Sequence, residues 1–557
     1  MAASRQKAGL RTQQGGRVDR DKPVSFTFDG KTYQGFEGDT LASALLANGQ
    51  HMVARSFKYH RPRGIVAAGS EDPAAIVQIG PDAVETDPNT RVTEQEIFEG
   101  LRASAQNCWP SLSFDIGIAN DVFSDFFPAG FYYKTFMGPP LSWMRFEPFI
   151  RKAAGLGVAP ADRDPQQYDS TNRHADVLVV GAGPAGLSAA KAAADAGARV
   201  ILVDETNAVG GALLSEPEGS VSLGSKPVDE AIQKMVDELH ANPDVAVLTR
   251  TTAFGYYGDN FVGLWERVTD HLAPADRVTH MPRQRVWRVR AKQVILATGA
   301  LERPMVFDGN DRPGIMLAGA VRTFLNRYGV LCGRTAVIFA NNDSAWATAF
   351  DLQDAGAQIA AIVDIRRNLS GALLQKAAHR GIPIHAGSAI VGTKGRSHVV
   401  AADIRVLDAS GMISSKANWI ECDLIANSCG WAPNVALFSQ SRGKLFYDDD
   451  LQAFRPGASW QQERSVGAAN GAYDLQDCLD EGRNAGAAAA ADAGFKKRIP
   501  RVLKASHTML VQRDLQILPQ IPSPKAAKKV RAFIDLQDDV TTKDIKIAIQ
   551  EGLHSVE

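Results

Sequence analysis

Between residues 24 and 36 apolar and polar side chains alternate (VSFTFDGKTYQGF) around Asp29-Gly30. That is the period of a half-buried strand on each side of a tight turn. Asp39-Thr40 then opens LASALLANG, a short helical run that Gly49 ends. A hairpin followed by a helix predicts a small α+β module over 23–90, behind a flexible arm at 1–22. Residues 91–170 are aromatic-rich and read as a connector, with 122–149 a candidate partner-facing stretch. The apolar run ADVLVV, the turn GAGPAG, the helical pattern LSAAKAAADAG and the run ARVILVDE form one strand–helix–strand unit. Strand patterns recur from 245 to 300 and end in VILATG. A second strand–helix–strand unit fills 334–364, and a return segment at 465–493 ends in an Ala-rich helix. The prolines and Lys/Arg of 496–530 read as a solvated basic connector, leading to a small helical module that completes 496–557.

The first unit carries chemistry. Gly181-Ala182-Gly183-Pro184-Ala185-Gly186 matches G-x-G-x-x-G between a strand and a helix. Gly181 permits the turn, Gly183 admits a pyrophosphate, and Gly186 lets helix pack on strand. The helix N-terminus offers free N–H groups and partial positive charge to phosphate. Asp204 lies 18 residues after Gly186, at the end of the second strand. An acid there accepts ribose hydroxyls and repels a 2′-phosphate, which favours NAD or FAD over NADP; Glu205 can share the role. Gly210-Gly211 mark a second close approach of backbone to phosphate. The fold class is therefore α/β: a two-part Rossmann-like core of the glutathione reductase type. Its dinucleotide-binding domain comprises 171–300 and 440–495, and its second domain 301–439.

The second unit's turn, Ala340-Asn341-Asn342-Asp343-Ser344-Ala345-Trp346, lacks glycine at all three key places. A pyrophosphate there meets Cβ atoms and an acid, so this half is expected to keep the fold without the nucleotide. The five cysteines, at 108, 332, 422, 429 and 478, form no C-x-x-C pair and no metal-ligand spacing. They read as thiols of a reducing compartment, and the cytoplasm is the expected location. A net charge of −1 argues against a nucleic-acid binder. No apolar run is long enough to predict a membrane span.

The strings GDTLASALLANG (38–49), RSFKYHRPRGI (55–65), QNCWPSL (106–112), PAGFYYKTFM (128–137), EPFIRKAAGLG (147–157), GAGPAGLSAA and VDETNAVGG closely resemble the α subunit of heterotetrameric sarcosine oxidase. The resemblance implies a ferredoxin-like N-terminal module. Its loop RSFKYHRPRGIVAAGSEDPAA has none of the cluster cysteines of related amine dehydrogenase subunits, so a cluster-free module is expected. It implies β, γ and δ partner subunits, sarcosine as the substrate of the complex, FAD on the β subunit, and FMN at the α–β interface. It also implies NAD on this chain. By motif the NAD contacts fall on Gly181, Gly183, Pro184, Ala185 and Gly186, on Asp204, Glu205 and Thr206 at the adenosine ribose, and on Gly211 and Ala212 at the second phosphate contact. Ala253 falls near adenine, and Ala468 and Leu475 toward the nicotinamide. The family's folate-binding half follows the V-T-x-x-D-I helix. This sequence stops at Glu557 near that junction, so tetrahydrofolate is expected only on the missing half, of a fragment or of a split subunit.

No acid/base or nucleophile constellation is visible in the chain. His60, in KYHRPRG, is the tempting exception and reads better as a structural or interface histidine. Two other functions fit the motif: a self-sufficient FAD-dependent oxidoreductase, and a scaffold subunit with a vestigial site.

Overall fold

The computed structural model describes residues 9–80, 86–122, 143–153, 155, 157–278, 280–496, 498–501, 503–506, 515, 517–553 and 555. Within 122–149, residues 123–142 lie outside the described residues, and so does the PAGFYYKTFM string. The Trp143–Ala153 helix beside them exposes Met144 and Phe149.

Strands Asp19–Phe28 and Lys31–Glu37 form the expected hairpin, with Asp29 (φ 48°) and Gly30 (φ 72°) both left-handed in its turn. Helix Leu41–Ala47 is buried throughout, and the Thr40 hydroxyl caps it by accepting from Ser43 N. A five-stranded mixed sheet completes the module in the order Lys31–Glu37, Asp19–Phe28, Arg102–Ala105, Ile76–Ile79, Asp87–Arg91. The supposed arm is docked wherever it is described. Leu10 is buried, its N–H donates to Ala47 O, Arg11 pairs with Asp39, and the first strand already begins at Asp19. Buried ion pairing and one apolar anchor outweigh the polar composition that suggested a loose tail.

The loop after this helix is built around carboxylates. Asp72 accepts four backbone N–H groups, from Val66 (2.8 Å), Ala67 (2.9 Å), Ala74 (3.1 Å) and Ala75 (2.8 Å). His60 is buried against Asp115 (Nδ1–Oδ2 2.8 Å) at a left-handed backbone position, a structural role. Arg63, 1% exposed, lies between Asp311 and Asp539. The Asp539 carboxylate also accepts Lys58 N and Tyr59 N, so residues 58–63 are held by the C-terminal segment.

The central sheet runs Val245–Leu248, Val200–Val203, Tyr168–Val180, Gln284–Leu296, Phe261–Arg267, Thr251–Tyr257, with Glu463–Ser465 pairing alongside Gln284–Leu296. Its parallel strands are apolar on both faces because helices cover one side and the antiparallel strands the other. Helices Pro184–Asp195 and Leu475–Asp492 touch backbone to backbone: a Cβ on Gly482 would lie 2.0 Å from Ala185 O, and one on Gly486 2.1 Å from Ala189 O. The second domain is a five-stranded parallel sheet in the order Ile315–Leu317, Leu424–Ser428, Thr335–Ala340, Gln358–Asp364, Ile384–Ala386, with an antiparallel three-stranded sheet at its side. Its apolar core is continuous with that of the N-terminal module.

The basic connector is less solvated than its composition suggests. Ile521 is buried with its N–H on Val306 O, and Lys525 pairs with Asp308. Among the described residues no helix is long and apolar enough to cross a membrane.

Candidate functional site

The turn after Tyr168–Val180 needs its glycines for different reasons. Gly181 has φ +100°, and a Cβ there would lie 2.2 Å from Ala297 O. A Cβ on Gly186 would lie 1.8 Å from Gly181 O, so the helix packs on the turn only because position 186 lacks a side chain. Gly183 caps the helix and Pro184 occupies its first turn, where no N–H is required. A Cβ on Gly183 would meet only Gly211 Cα, at 3.9 Å. Nothing inside the protein demands this glycine; it leaves an open floor before the helix N-terminus. Gly211 closes the opposite side at φ +54°, where a Cβ would come 2.8 Å from Gly183 Cα. Gly210 N donates to Ala182 O and fixes that pair.

Asp204 ties the turn together. Its Oδ2 accepts Ala182 N (2.8 Å), and its Oδ1 accepts Thr206 N (2.9 Å) and Thr206 Oγ1 (2.8 Å). Part of the acceptor capacity expected for ribose is thus committed to the protein. Thr251 N donates to Asp204 O, which brings the strand carrying Ala253 beside this end. Ala212 is exposed in the short turn that Gly211 opens. At the opposite end, Ala468 lies in the Gly467–Asn470 turn, against Ala185 through Gly467. Leu475 begins the second helix with its side chain buried, so only its backbone faces this end. Contacts bring the first-motif residues, Asp204, Thr206 and Gly211 together, with Ala212 next to Gly211, the strand carrying Ala253 beside Asp204, and Ala468 and Leu475 on the segment that packs against Ala185.

Glu205 sits beside the Asp204 end, at the boundary with the N-terminal module. Both its oxygens accept the Ser70 hydroxyl, at 3.0 and 3.1 Å, so a residue of the N-terminal module meets the dinucleotide domain here. Burial, with Asp204, Glu94 and Glu71 nearby, pushes its carboxyl up to about 7 despite the Ser70 bond. A crevice of roughly 40 Å³ between the two domains is lined by Ser70, Glu205, Thr206, Asn207, Arg267 and Arg327, among others. Glu302 is buried where the core passes into the second domain. Burial pushes it up to about 7 as well, and Gly319 N donates to it at 2.7 Å. Sequence reasoning missed Ser70 and Glu302. Each is a lone polar residue whose partner is remote in sequence, and neither carries a local pattern.

The second unit's turn is filled by its own side chains. The Asn342 amide donates to Ser428 Oγ and Asn341 Oδ1, and its oxygen accepts Ser344 N and Oγ. Asp364, the counterpart of Asp204, is committed to Arg366 and to Trp346 Nε1, while Asp343 holds Arg366 from the other side. Cys332, Cys422, Cys429 and Cys478 are buried free thiols, and burial raises Cys422 and Cys478 to about 12, far from thiolate reactivity at neutral pH. No group of three His, Cys, Asp or Glu able to hold a metal is found among the described residues.

Residues 175–457 match the pyridine nucleotide-disulphide oxidoreductase family, 21–108 a 2Fe-2S iron-sulfur cluster binding domain, and 529–557 the sarcosine oxidase A3 domain. The chain is 44% identical to sarcosine oxidase subunit alpha of Rhizobium meliloti (strain 1021), over 97% of this chain and 53% of the relative. It is 36% identical to sarcosine oxidase subunit alpha of Corynebacterium sp. (strain P-1), over 97% of this chain and 51% of the relative. It thus spans about half the length of the curated relatives it matches. Among solved structures, L-proline dehydrogenase from P. horikoshii superposes with a TM-score of 0.60 at 17% identity, covering 98% of this chain and 87% of that one, which shows a shared fold. Homologous along nearly its whole length to sarcosine oxidase α subunits, the chain belongs to the pyridine nucleotide-disulphide oxidoreductase family.

Proposed function

We propose that this chain is the NAD-binding, N-terminal part of the α subunit of a multi-subunit sarcosine oxidase. The observation that carries the reading is the open floor between Gly183 and Gly211 before the Pro184–Asp195 helix. A Cβ on Gly183 meets no clash in the protein, so the bare backbone there is kept for a ligand. The free N–H groups and dipole of that helix suit a pyrophosphate. Asp204 retains an Oδ2 lone pair for a ribose hydroxyl and opposes a 2′-phosphate. When bound, NAD supplies a nicotinamide ring at the end marked by Ala468 and Leu475. The second turn, laced by Asn342 and Arg366, is read as having lost its nucleotide, which leaves one dinucleotide on this chain.

The remaining chemistry is assigned to the assembled complex with β, γ and δ subunits in the cytoplasm. That complex converts sarcosine to glycine, oxygen to hydrogen peroxide, and the N-methyl carbon to 5,10-methylenetetrahydrofolate or formaldehyde. FAD and FMN belong to the complex, FMN at the interface with the β subunit, and tetrahydrofolate to the half of the relatives that this chain does not span. The N-terminal module is read as cluster-free. Cys108 is the one cysteine within 21–108, and the amides around the 66–75 loop are already taken by Asp72.

The test is to purify the chain and identify what it releases on denaturation. A colourless protein releasing NAD supports the reading; a yellow protein releasing FAD overturns it in favour of a self-sufficient flavoenzyme.

A further inference from the structure

Ser70 and Glu205 lie 135 residues apart and on different domains, yet the Ser70 hydroxyl reaches both carboxylate oxygens of Glu205. Three observations give this contact a meaning beyond domain packing. Glu205 directly follows Asp204 at the carboxyl end of the second strand, where a dinucleotide's adenosine ribose sits in this fold. Asp204 has already given Oδ1 to Thr206 and part of Oδ2 to Ala182, so the ribose needs a second acceptor. Glu205 has acceptor capacity left over, because a carboxylate has about four lone-pair sites and one hydroxyl proton occupies at most two. It also borders an open crevice with Thr206 and Asn207.

The surroundings explain why Ser70 is needed. Asp204, Glu94 and Glu71 repel a charge on Glu205, while Ser70 is the hydrogen-bond donor that favours it. The loop carrying Ser70 is itself fixed. Asp72 gathers four of its amides, and the Thr93 hydroxyl donates to Gly69 O at 2.7 Å. Arg267 donates to Glu205 O at 2.8 Å, and so holds the backbone while Ser70 holds the side chain.

We propose that Ser70, on the ferredoxin-like module, is a positioning residue of the dinucleotide site, holding Glu205 for the adenosine ribose hydroxyls so that the site spans two domains. The proposal rests on the NAD-binding reading above.

The experiment titrates NAD+ and ADP-ribose into the ligand-stripped full chain by calorimetry, for wild type, Ser70→Ala and Ser70→Thr, and records the melting temperature of each without ligand. The expected result is a loss of about tenfold in affinity for both ligands in Ser70→Ala, the effect of one charge-assisted hydrogen bond. Ser70→Thr restores it, and the unliganded melting temperatures agree. Equal affinity of Ser70→Ala and wild type overturns the proposal. So does a weakening that Ser70→Thr fails to restore, or one that follows loss of stability in the unliganded protein. Wild type that binds neither ligand is a different failure: it removes the NAD reading itself.

Discussion

Gly482 faces the Ala185 carbonyl so closely that a methyl group on it would lie 2.0 Å from that oxygen. The helix behind the phosphate turn therefore keeps its position through the bare backbone of a helix nearly 300 residues later in the chain. Neither atom can yield cheaply, because Ala185 belongs to the first turn of its helix. Gly482→Ala is expected to force the helices apart and destabilise the protein by about 2–4 kcal/mol, in the range of overpacking with backbone shift. Urea unfolding measures this, and an unchanged midpoint would show that the helices are not in contact.

Gly183 and Gly186 separate ligand binding from folding. Gly186→Ala places a Cβ 1.8 Å from Gly181 O and is expected to give insoluble or unfolded protein. Gly183→Ala meets nothing closer than 3.9 Å. It is expected to keep the wild-type melting temperature within about 2 °C while losing about 100-fold in NAD+ affinity, since the methyl group fills the pyrophosphate's place. Circular dichroism and NAD+ titration of both variants check the contrast.

Glu302 predicts a pH dependence. Its carboxyl is raised from 4.5 to about 7 by burial, aided by repulsion from Glu71 and opposed by bonds from Ser428 and Gly319. The folded state then holds a proton that the unfolded state releases between these values. The contribution is fully present below about pH 4.5, is lost as pH rises to 7, and stays lost above. Glu302→Gln is expected to remove this part of the slope and to be more stable than wild type at pH 8 by roughly 2 kcal/mol. Urea midpoints from pH 5 to 8 decide; parallel curves for the two proteins would refute it.

Asp72→Asn is nearly isosteric, yet it turns one acceptor oxygen into a donor facing two of the four amides around it. A loss of at least about 3 kcal/mol is expected from the orphaned N–H groups. Differential scanning calorimetry of the full chain reads it, and a variant as stable as wild type would show that the amides find other partners.

How much of this was legible in the chain depends on distance. The hairpin at Asp29-Gly30, the Thr40 cap and the Gly181–Gly186 turn were readable because turn, cap and glycine chemistry are local. So was the loss of glycine in the 340–346 turn, although its replacement by an Asn342–Ser428 and Arg366–Asp364 lattice was not. The docking of residues 9–22 was hidden because Arg11 finds Asp39 and Leu10 finds Ala47 across the fold. Ser70 was hidden for the same reason. Asp204 stood out by position, but its bonds to Ala182 and Thr206 belong to three dimensions.

Arg63 and Asp539 are 476 residues apart in the chain, and both are sealed from water beside Asp311. An arginine buried without its partners is strongly unfavourable. During synthesis residues 58–63 emerge long before Asp311 and Asp539, so Arg63 lacks its full set of buried partners until both have left the ribosome. Completion of the first module thus waits on a segment translated 476 residues later, and a nascent chain arrested before that segment carries an unfinished module.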